Sequence, residues 1–427
     1  MTADLVVRNI GAVVTPIGPA PRLGADLGNL LEIPRAALAV RGGRLSFVGP
    51  ESELPPEATA ADAAVLDAQG ALVVPGFVDA HTHLAFAGDR DAEIRQRLAG
   101  ASYRDIAAAG GGIVRSVAAT RAASAETLQA LLRARLDEML VCGTTTAEVK
   151  SGYGLETAAE IRSLEAIRAV AATHPVGIVP TFLGAHEVPP EHRGRRERYV
   201  DSVVEEMIPE VARLGLATFA DVFCEQGVFT IQESRRILAA ARAAGLSLRI
   251  HADELAWTGG AELAGEMGAR SADHLLFVSA AGTTALAEAG CAATLLPSAA
   301  FYLRLGRYAP ARALVEGGAA VALATDGNPG GGLSPSMPFA MAVACFAMGL
   351  SLEESLTAAT LNAAYSIGVE DDRGSLETGK RADFVVLRGA RLLDLVRAGI
   401  PAVRTVVSGG QVVVRDGERV TGYDPTH

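Results

Sequence analysis

Two histidines separated by one residue, His81 and His83, follow an apolar segment at positions 72–80. Side chains at i and i+2 of a strand point to the same face, so one metal ion can bind both imidazoles without distorting the backbone. Imidazole is a common ligand of zinc and iron. The alternative is a pair of solvated histidines after a strand. The metal-site interpretation is favoured because three more residues of suitable chemistry each end another apolar run: His251, His274 and Asp326.

The segments that would position these residues form a repeating pattern. Apolar, β-branched runs alternate with helices rich in alanine and leucine, which is typical of βα units and a parallel sheet. Eight such strands indicate an α/β fold, a (β/α)8 TIM-type barrel, whose chemistry lies at the C-terminal ends of the strands. The predicted strands cover residues 71–80, 143–150, 176–185, 219–225, 247–253, 271–277, 292–297 and 320–326.

The two chain ends differ from this middle part. Short β-branched runs separated by Gly- and Pro-containing turns occur near the N-terminus, and similar runs return near the C-terminus. Neither piece alone could bury much of a core. We therefore predict a composite β-sandwich domain built from residues 1–70 and 366–427, and a barrel domain at residues 71–365.

Three helices are predicted to begin with an S/T-x-x-E capping box. In this motif a hydroxyl and a carboxylate reciprocally satisfy free backbone N–H groups of the first turn. The motif therefore marks a helix start. The three pairs are Thr157 with Glu160, Thr230 with Glu233, and Ser351 with Glu354.

Composition and charge exclude several classes of partner. The chain has 38 basic and 49 acidic residues and a net charge of −11, whereas nucleic acid or an anionic membrane would require a basic patch. A small anionic substrate would therefore need a specifically placed cation. The four cysteines lie far apart without a C-x-x-C motif, which predicts reduced thiols. Because no secretory signal and no membrane-length apolar run is found, we expect a soluble, cytoplasmic protein.

The predicted ligand set has a definite chemistry. Three neutral imidazoles and one carboxylate suit a borderline cation and leave a position for water, whose pKa such a metal lowers from about 16 towards about 7. We expect the free oxygen of Asp326 to accept the proton of that water and to pass it to a leaving nitrogen. His274 would polarise the attacked carbonyl or carry protons; alternatively, it is a buried histidine oriented by Asp273. The predicted ligands are His81, His83, His251 and Asp326.

These residues and their surroundings resemble the amidohydrolase superfamily. The resemblance rests on Pro75-Gly-Phe-Val-Asp-Ala-His-Thr-His83, on the Thr325-Asp326 strand ending and on the tail from Gly374 to Leu387. Many members hold two metal ions bridged by a carboxylated lysine after strand 4. Here that strand ends Asp221-Val-Phe-Cys-Glu225, and Lys150 ends strand 2 instead. The resemblance therefore implies a single metal ion.

Within that superfamily the chain is similar to the imidazolonepropionase family over nearly its whole length. The most specific segment is Lys150-Ser-Gly-Tyr-Gly-Leu155, and His251-Ala-Asp-Glu254 and Asp326-Gly-Asn-Pro-Gly330 also match. The resemblance implies hydrolysis of the cyclic amide C–N bond of 4-imidazolone-5-propanoate to N-formimino-L-glutamate in histidine degradation. It also implies one divalent or trivalent ion per chain, zinc or iron, and a homodimer.

A substrate with a propanoate tail gives roles to residues that the metal leaves unused. Arg90 could bind the carboxylate with a bidentate fork. Tyr153 could donate its hydroxyl to the same group, and His186 could bond the tail or the ring. The alternatives are a surface ion pair of Arg90 with Asp89 or Asp91 and loop packing for Tyr153.

The remaining pocket residues come from the ends of strands 5 and 8. Glu254 could accept a ring N–H and orient the ring for catalysis, and Asn328 and Gly330 would line the pocket. Gly331 departs from the family pattern, because a Ser or Thr usually follows the Asn-Pro-Gly sequence. A hydroxyl that would touch the substrate is therefore missing at this substrate-binding position.

Two other functions stay open on the sequence. One is another mononuclear amidohydrolase, such as a purine-type deaminase or a lactam hydrolase, which would not need a cation for an aliphatic carboxylate. The other is a non-catalytic metabolite-binding barrel, which would be expected to have lost a metal ligand or the proton carrier. All of these residues are present here, which favours an enzyme.

Overall fold

The computed structural model describes residues 3–59, 63–101, 105–106 and 109–425. The other positions of the two predicted domains, 1–2, 60–62, 102–104, 107–108 and 426–427, lie outside the described residues. The strands of the described part, in chain order, are β1 (Leu5–Thr15), β2 (Leu31–Arg41), β3 (Arg44–Pro50), β4 (Ala64–Asp67), β5 (Leu72–Pro75), β6 (Phe77–Asp79), β7 (Thr144–Lys150), β8 (Gly177–Ala185), β9 (Phe219–Cys224), β10 (Ser247–Ala252), β11 (Ser271–His274), β12 (Ala292–Leu295), β13 (Ala320–Leu323), β14 (Phe384–Leu387), β15 (Val403–Ser408), β16 (Gln411–Arg415) and β17 (Glu418–Arg419).

Strands from both chain ends form one mixed sheet. Its order is β17-β16-β15-β14-β5-β1-β2-β3, and β4 pairs with β1. β5 lies at the junction, parallel to β1 and antiparallel to β14. Apolar side chains from β1, β2, β5 and β14 share one buried cluster, so neither end is packed without the other. This confirms a β-sandwich formed by both chain ends, while the domain boundaries stay a prediction.

The prediction that residues 71–80 form a single barrel strand is wrong. The segment is divided at Gly76 into β5, which belongs to the composite sheet, and β6, which belongs to the barrel. The Gly76 N–H donates to the Asp383 carbonyl at 2.9 Å, and a Cβ atom at this position would lie 2.2 Å from the Thr145 Oγ1 atom. The chain therefore changes sheets where only a glycine fits.

Eight parallel strands, β6 to β13, follow one another around the barrel in chain order. The first and last strands meet just beyond their ends. There the Asp326 N–H donates to the His81 carbonyl at 3.1 Å, and the His83 N–H donates to the Gly327 carbonyl at 2.9 Å. The (β/α)8 barrel is confirmed, and its seam runs through three of the four predicted metal ligands.

Helices cover the outside of the barrel and pack on its strands. None of them, in the part of the chain that the structure describes, combines the length and the apolar character needed to cross a membrane. The α-helices are Asp91–Leu98, Ile113–Ala122, Ala125–Val141, Thr157–Ala171, Arg196–Ser202, Ile208–Arg213, Ile231–Ala243, Gly260–Glu266, Ala280–Ala289, Pro297–Tyr302, Ala311–Glu316, Met337–Met348, Leu352–Ala358 and Leu361–Ser366.

Two of the three predicted capping boxes are confirmed, those at Thr230 and Ser351. The third is wrong. Thr157 is already the first helical residue and Glu156 is the N-cap. The Glu160 carboxylate points instead into the preceding loop, where it accepts three backbone N–H groups. The N–H groups of the loop thus bind the Glu160 carboxylate that the capping box would have used.

Candidate active site

The four predicted metal ligands converge at the C-terminal end of the barrel. The Nε2 atom of His83 lies 3.1 Å from the Nε2 atom of His81 and 3.3 Å from that of His251. The Oδ1 atom of Asp326 lies 3.4 Å from the Nε2 atom of His83 and 3.7 Å from that of His81. All four side chains are buried. Their donor atoms therefore surround one small volume.

Carboxylates on other barrel strands orient two of these histidines. The Nδ1 atom of His81 lies 2.6 Å from Asp273 Oδ2, and the Nδ1 atom of His251 lies 3.0 Å from Asp221 Oδ1. Such a partner accepts a hydrogen bond from the Nδ1–H group and leaves the Nε2 lone pair free for a cation. Asp273, which the sequence offers only as an alternative partner of His274, is thus the partner of His81.

Beneath the histidines lies a fully buried network of ion pairs. The Lys150 ammonium lies 2.8 Å from Glu148 Oε1 and 2.8 Å from Asp221 Oδ2. The Arg249 guanidinium pairs with Asp273 at 3.0 Å and donates to the Ala80 carbonyl at 2.8 Å. Each histidine-orienting carboxylate therefore has its own cation. Unpaired, these carboxylates would be costly to bury.

The donor set fits a divalent metal ion. Burial lowers the pKa values of His81 and His83 well below their usual range, so both imidazoles are neutral, the form that binds metal. The Asp326 Oδ1 atom is buried and has no hydrogen-bond partner among the described residues. Within the cluster, four carboxylates face two cations, which leaves two formal negative charges for an ion to balance.

His274 and Glu254 lie beside this cluster. The His274 Nδ1 atom is 3.5 Å from Glu254 Oε1, and the His274 ring centroid is 5.4 Å from that of His81. Burial raises the pKa of Glu254 well above its usual range, and Asp326 and Glu225 act in the same direction. The backbone at His274 (φ 78°) and at Asp326 (φ 57°) is left-handed. Such strain in non-glycine residues is concentrated at functional sites.

Arg90 reaches the pocket from the loop after β6. The residue is 3% exposed, and its guanidinium pairs through Nε with Glu93 Oε2 at 2.8 Å. Glu93 in turn accepts the Gly112 N–H at 3.0 Å. The alternative of a surface ion pair with Asp89 or Asp91 is wrong, because the side chain is buried and pairs with Glu93.

Tyr153 and His186 form the opposite wall. The His186 Nδ1 atom bonds the Gly152 carbonyl at 2.9 Å, and its ring stacks on His83 with centroids 4.9 Å apart. The Tyr153 ring is buried 5.2 Å from the His186 ring. Burial lowers the pKa of His186 to about 3, so the imidazole is neutral at physiological pH.

The loop after β13 completes the pocket. The Asn328 Oδ1 atom accepts the N–H groups of Gly330 at 2.8 Å and Gly331 at 2.7 Å. A Cβ atom at Gly330 would lie 2.4 Å from the Arg90 guanidinium, and one at Gly331 would lie 2.9 Å from the Leu303 Cγ atom. The backbone therefore approaches Arg90 closely, and Leu303 fills the space beside Gly331.

One pocket joins the predicted substrate-binding residues to the metal-binding cluster. His81 lies beneath it rather than in its wall. Three apolar wall residues were not predicted from the sequence, Ile113, Phe223 and Leu303. The pocket is lined by His83, Arg90, Ile113, Tyr153, His186, Phe223, His251, Glu254, His274, Leu303, Asp326, Asn328, Gly330 and Gly331.

Sequence reasoning also missed the role of the buried ion pairs. The alternation of side chains along a strand could have indicated these buried ion pairs in the sequence. Arg249 stands two residues before His251, and Asp221 stands two before Phe223, so each faces the same interior as a pocket residue. Charged residues at inward positions of barrel strands therefore indicate a second layer below the site.

Comparison with known proteins shows the family to which this chain belongs. The model of the amidohydrolase family matches residues 72–418. Among curated relatives, the imidazolonepropionase of Symbiobacterium thermophilum is 52% identical, over 97% of this chain and 98% of its own length. That of Myxococcus xanthus is 47% identical, over 96% and 97%. That of Geobacillus kaustophilus is 46% identical, over 97% and 99%.

Solved structures of similar fold have lower sequence identity. An adenosine deaminase from Xanthomonas campestris with bound zinc superposes with a TM-score of 0.71 at 20% identity, covering 99% of this chain and 95% of that chain. N-isopropylammelide isopropylaminohydrolase from Burkholderia multivorans gives a TM-score of 0.71 at 23% identity, covering 98% and 100%. At these identities the likeness concerns the fold alone.

Proposed function

This chain belongs to the amidohydrolase family and, within it, to the imidazolonepropionases, and we infer that it opens the ring of 4-imidazolone-5-propanoate by hydrolysis. The reaction breaks the cyclic amide C–N bond and yields N-formimino-L-glutamate, a step of histidine degradation. The observation that carries this function is a single pocket that joins a buried arginine to a cluster of three histidines and an aspartate. The arginine suits the propanoate, and the cluster suits a metal-activated water.

We propose that one zinc or iron ion is held by His81, His83, His251 and Asp326. Both metals accept this set of nitrogen and oxygen donors. Lys150 already provides a positive charge among the carboxylates below, which favours one ion over two. When bound, the ion supplies an activated water by lowering the pKa of that water.

Asp326 is proposed to move the proton. Its Oδ1 atom faces the Nε2 atoms of His81 and His83, so Oδ1 would bind the ion and the other carboxyl oxygen would be left to exchange a proton. A positioned carboxylate of this kind can act as a general base and then as a general acid. Asp326 accepts a proton from the attacking water and delivers it to the ring nitrogen as the C–N bond breaks. The ring carbonyl carbon becomes the new carboxylate.

His274 and Glu254 are proposed to hold the reacting ring. His274 hydrogen-bonds the carbonyl oxygen, where negative charge develops during attack. Glu254 accepts a ring N–H through a carboxyl oxygen, an acceptor that both of its protonation forms offer. The 3.5 Å separation of His274 Nδ1 and Glu254 Oε1 supports joint action on one small ring.

Arg90, Tyr153 and His186 are proposed to bind the propanoate tail. Glu93 engages the Nε atom of Arg90, which orients the guanidinium and directs its terminal nitrogens towards Gly330. A guanidinium held in this way suits bidentate recognition of a carboxylate. Asn328, Gly330 and Gly331 shape the same end of the pocket. Gly331 contributes no hydroxyl, so Arg90 and Tyr153 provide the main polar contacts.

We also propose a cytoplasmic homodimer. All four cysteines are free, which supports a reducing compartment. Cell fractionation with an antibody tests the location, and light scattering after size-exclusion chromatography tests the oligomeric state. A monomeric mass at micromolar concentration would contradict the dimer.

Turnover of imidazolonepropanoate by the purified protein tests the function directly. The ultraviolet absorbance of the imidazolone should fall with enzyme, should stay constant after treatment with a chelator, and should fall again after zinc or ferrous ion is restored. Guanine and hydantoin serve as comparison substrates for the deaminase and lactam hydrolase alternatives. Faster turnover of either one would replace the proposed substrate.

A further inference from the structure

The loop that carries Tyr153, residues 151–155, is held by a buried glutamate from the following helix. The Glu160 carboxylate is fully buried. Its Oε1 atom accepts the N–H groups of Gly154 at 2.7 Å and Leu155 at 2.8 Å, and its Oε2 atom accepts the N–H of Gly152 at 2.9 Å. One side chain thus satisfies three backbone donors of a five-residue loop.

Arg121 holds the carbonyl side of the same loop. Its Nε atom donates to the Gly154 carbonyl at 2.6 Å, and its Nη2 atom donates to the Leu155 carbonyl at 3.0 Å. Gly152 (φ 110°) and Leu155 (φ 50°) both have left-handed backbone, a conformation that an unsupported loop would not keep at Leu155. The loop therefore depends on these two side chains for its shape.

The Glu160 contacts continue into the pocket. The N–H of Gly152 is bound by Glu160, and the carbonyl of the same residue accepts a hydrogen bond from His186 Nδ1 at 2.9 Å. A Cβ atom on Gly152 would lie 3.1 Å from that same Nδ1 atom, so the loop backbone and the imidazole are in close contact. Tyr153 is the next residue. Glu160 thus binds the backbone N–H of the residue before Tyr153 and of the two residues after it, and it holds Gly152, whose carbonyl orients His186.

We propose that Glu160 is a positioning residue for substrate specificity, which acts through Tyr153 and His186 without touching the substrate. This inference rests on the proposed function, because it assumes that these two side chains bind the propanoate tail. Within the described part of the chain, the hydrogen bonds of Glu160 go to the loop and reach no predicted metal ligand, so its effect should fall on substrate binding and leave metal binding intact. Arg121 assists from the opposite side of the loop.

The substitution Glu160→Gln tests this role with little change in volume. A glutamine can keep the oxygen that accepts from Gly154 and Leu155, but its amide nitrogen then faces the Gly152 N–H and that bond is lost. Loss of a hydrogen bond to a charged group should raise KM for imidazolonepropanoate by about tenfold and change kcat by less than about threefold. Metal content should equal that of the wild type.

Glu165→Gln is the matched control, because Glu165 lies on the same helix, is exposed and undergoes the same chemical change. It should leave KM and kcat unaltered. Arg121→Met is a second variant that leaves every buried carboxylate unchanged, and it should raise KM by about threefold through the loop carbonyls.

The inference is overturned if Glu160→Gln folds with an unchanged KM, or if its activity falls only in proportion to lost metal. It is also overturned if Glu160→Gln does not fold and Arg121→Met has a wild-type KM. A wild-type enzyme that does not hydrolyse imidazolonepropanoate contradicts the proposed function instead, so the two failures are distinguishable.

Discussion

The floor and the rim of the pocket are held in place by different interactions. In the floor, side chains at the ends of barrel strands are fixed by buried ion pairs with other strand residues. In the rim, the binding side chains lie on loops whose backbone is fixed by single residues such as Glu93, Glu160 and Asn328. The floor comprises His81, His83, His251, Asp326 and the ion pairs of Lys150 and Arg249, and the rim comprises Arg90, Tyr153, His186 and Gly330.

Because of this difference, mutations in the floor and in the rim should impair different properties of the enzyme. A change in the floor alters the charge and direction of metal ligands, so it should change metal affinity. A change in the rim alters the fit of the carboxylate, so it should change KM at constant metal content. Substitutions in each region test whether the separation holds.

The largest effect is expected for His251→Ala, a change in the floor. It removes one of three imidazoles and leaves Asp221 beside Lys150 without its histidine. We expect loss of the bound metal and a fall in kcat/KM of about 10⁴-fold or more, because the reaction depends on metal-activated water. Elemental analysis and steady-state kinetics measure both. Retained metal with a normal rate would remove His251 from the ligand set.

Arg90→Ala is the corresponding change in the rim. Removal of a buried cation that binds a carboxylate should raise KM by about 100-fold, while the metal content stays at the wild-type value. Arg95→Ala, on the next helix, serves as a control and should leave KM unchanged. If Arg90→Ala keeps full activity on imidazolonepropanoate, the carboxylate is bound elsewhere.

Lys150→Met tests whether the ion pairs below the ligands matter for the metal. The substitution leaves Glu148 and Asp221 without their ammonium partner, and we expect the dissociation constant for zinc to rise by about 30-fold, in the range typical of residues that orient ligands. Lys380→Met in the composite domain removes the same charge far from the barrel floor. Equal zinc affinity in the two variants would show that Lys150 has no role in binding.

The smallest expected effect concerns His174, a buried histidine away from the pocket. Its Nε2 atom bonds Asp137 at 3.0 Å and its Nδ1 atom accepts the Val176 N–H. Burial lowers the pKa of His174 from 6.5 to about 4, and Arg133 adds to the shift. The unfolded chain therefore binds this proton more tightly, and the stability that the neutral ring contributes above pH 6.5 is lost as the pH falls towards 4.

Chemical denaturation of the metal-free protein at pH 7 and pH 5 measures this loss. Between pH 7 and pH 5, the free energy of unfolding should fall by about 2 kcal/mol less in His174→Gln than in the wild type. The variant isolates the effect of burial on a histidine without the complication of a metal. Identical pH dependence in both proteins would mean that His174 is not kept neutral by the fold.

Most of the floor could be predicted from the sequence, whereas its supports could not. His81, His83, His251 and Asp326 are recognisable because ligand chemistry and strand ends coincide. The partner of each histidine depends on which inward-facing side chains meet inside the barrel, and Asp273 of β11 reaches His81, which follows the non-adjacent strand β6. A single sequence does not contain that contact, so it offers Asp273 only as a neighbour of His274.

The rim illustrates a second limit of sequence reasoning. The motif at Thr157 and Glu160 satisfies the local rule for a helix start, yet the carboxylate binds the loop before the helix. The local rule assumes that nearby N–H groups of the helix are the strongest competitors. Here the left-handed turn at Leu155 presents donors with no other partner, and the outcome depends on tertiary structure.

The junction at β5 has a consequence for biosynthesis. The segment that leads into His81 is bordered on one side by β14, with Phe384 opposite Pro75. A nascent chain emerging from the ribosome exposes both histidines long before β14 has been translated. The edge of β5 therefore stays unpaired until the C-terminal strands are released, and until then it is open to premature association with other chains.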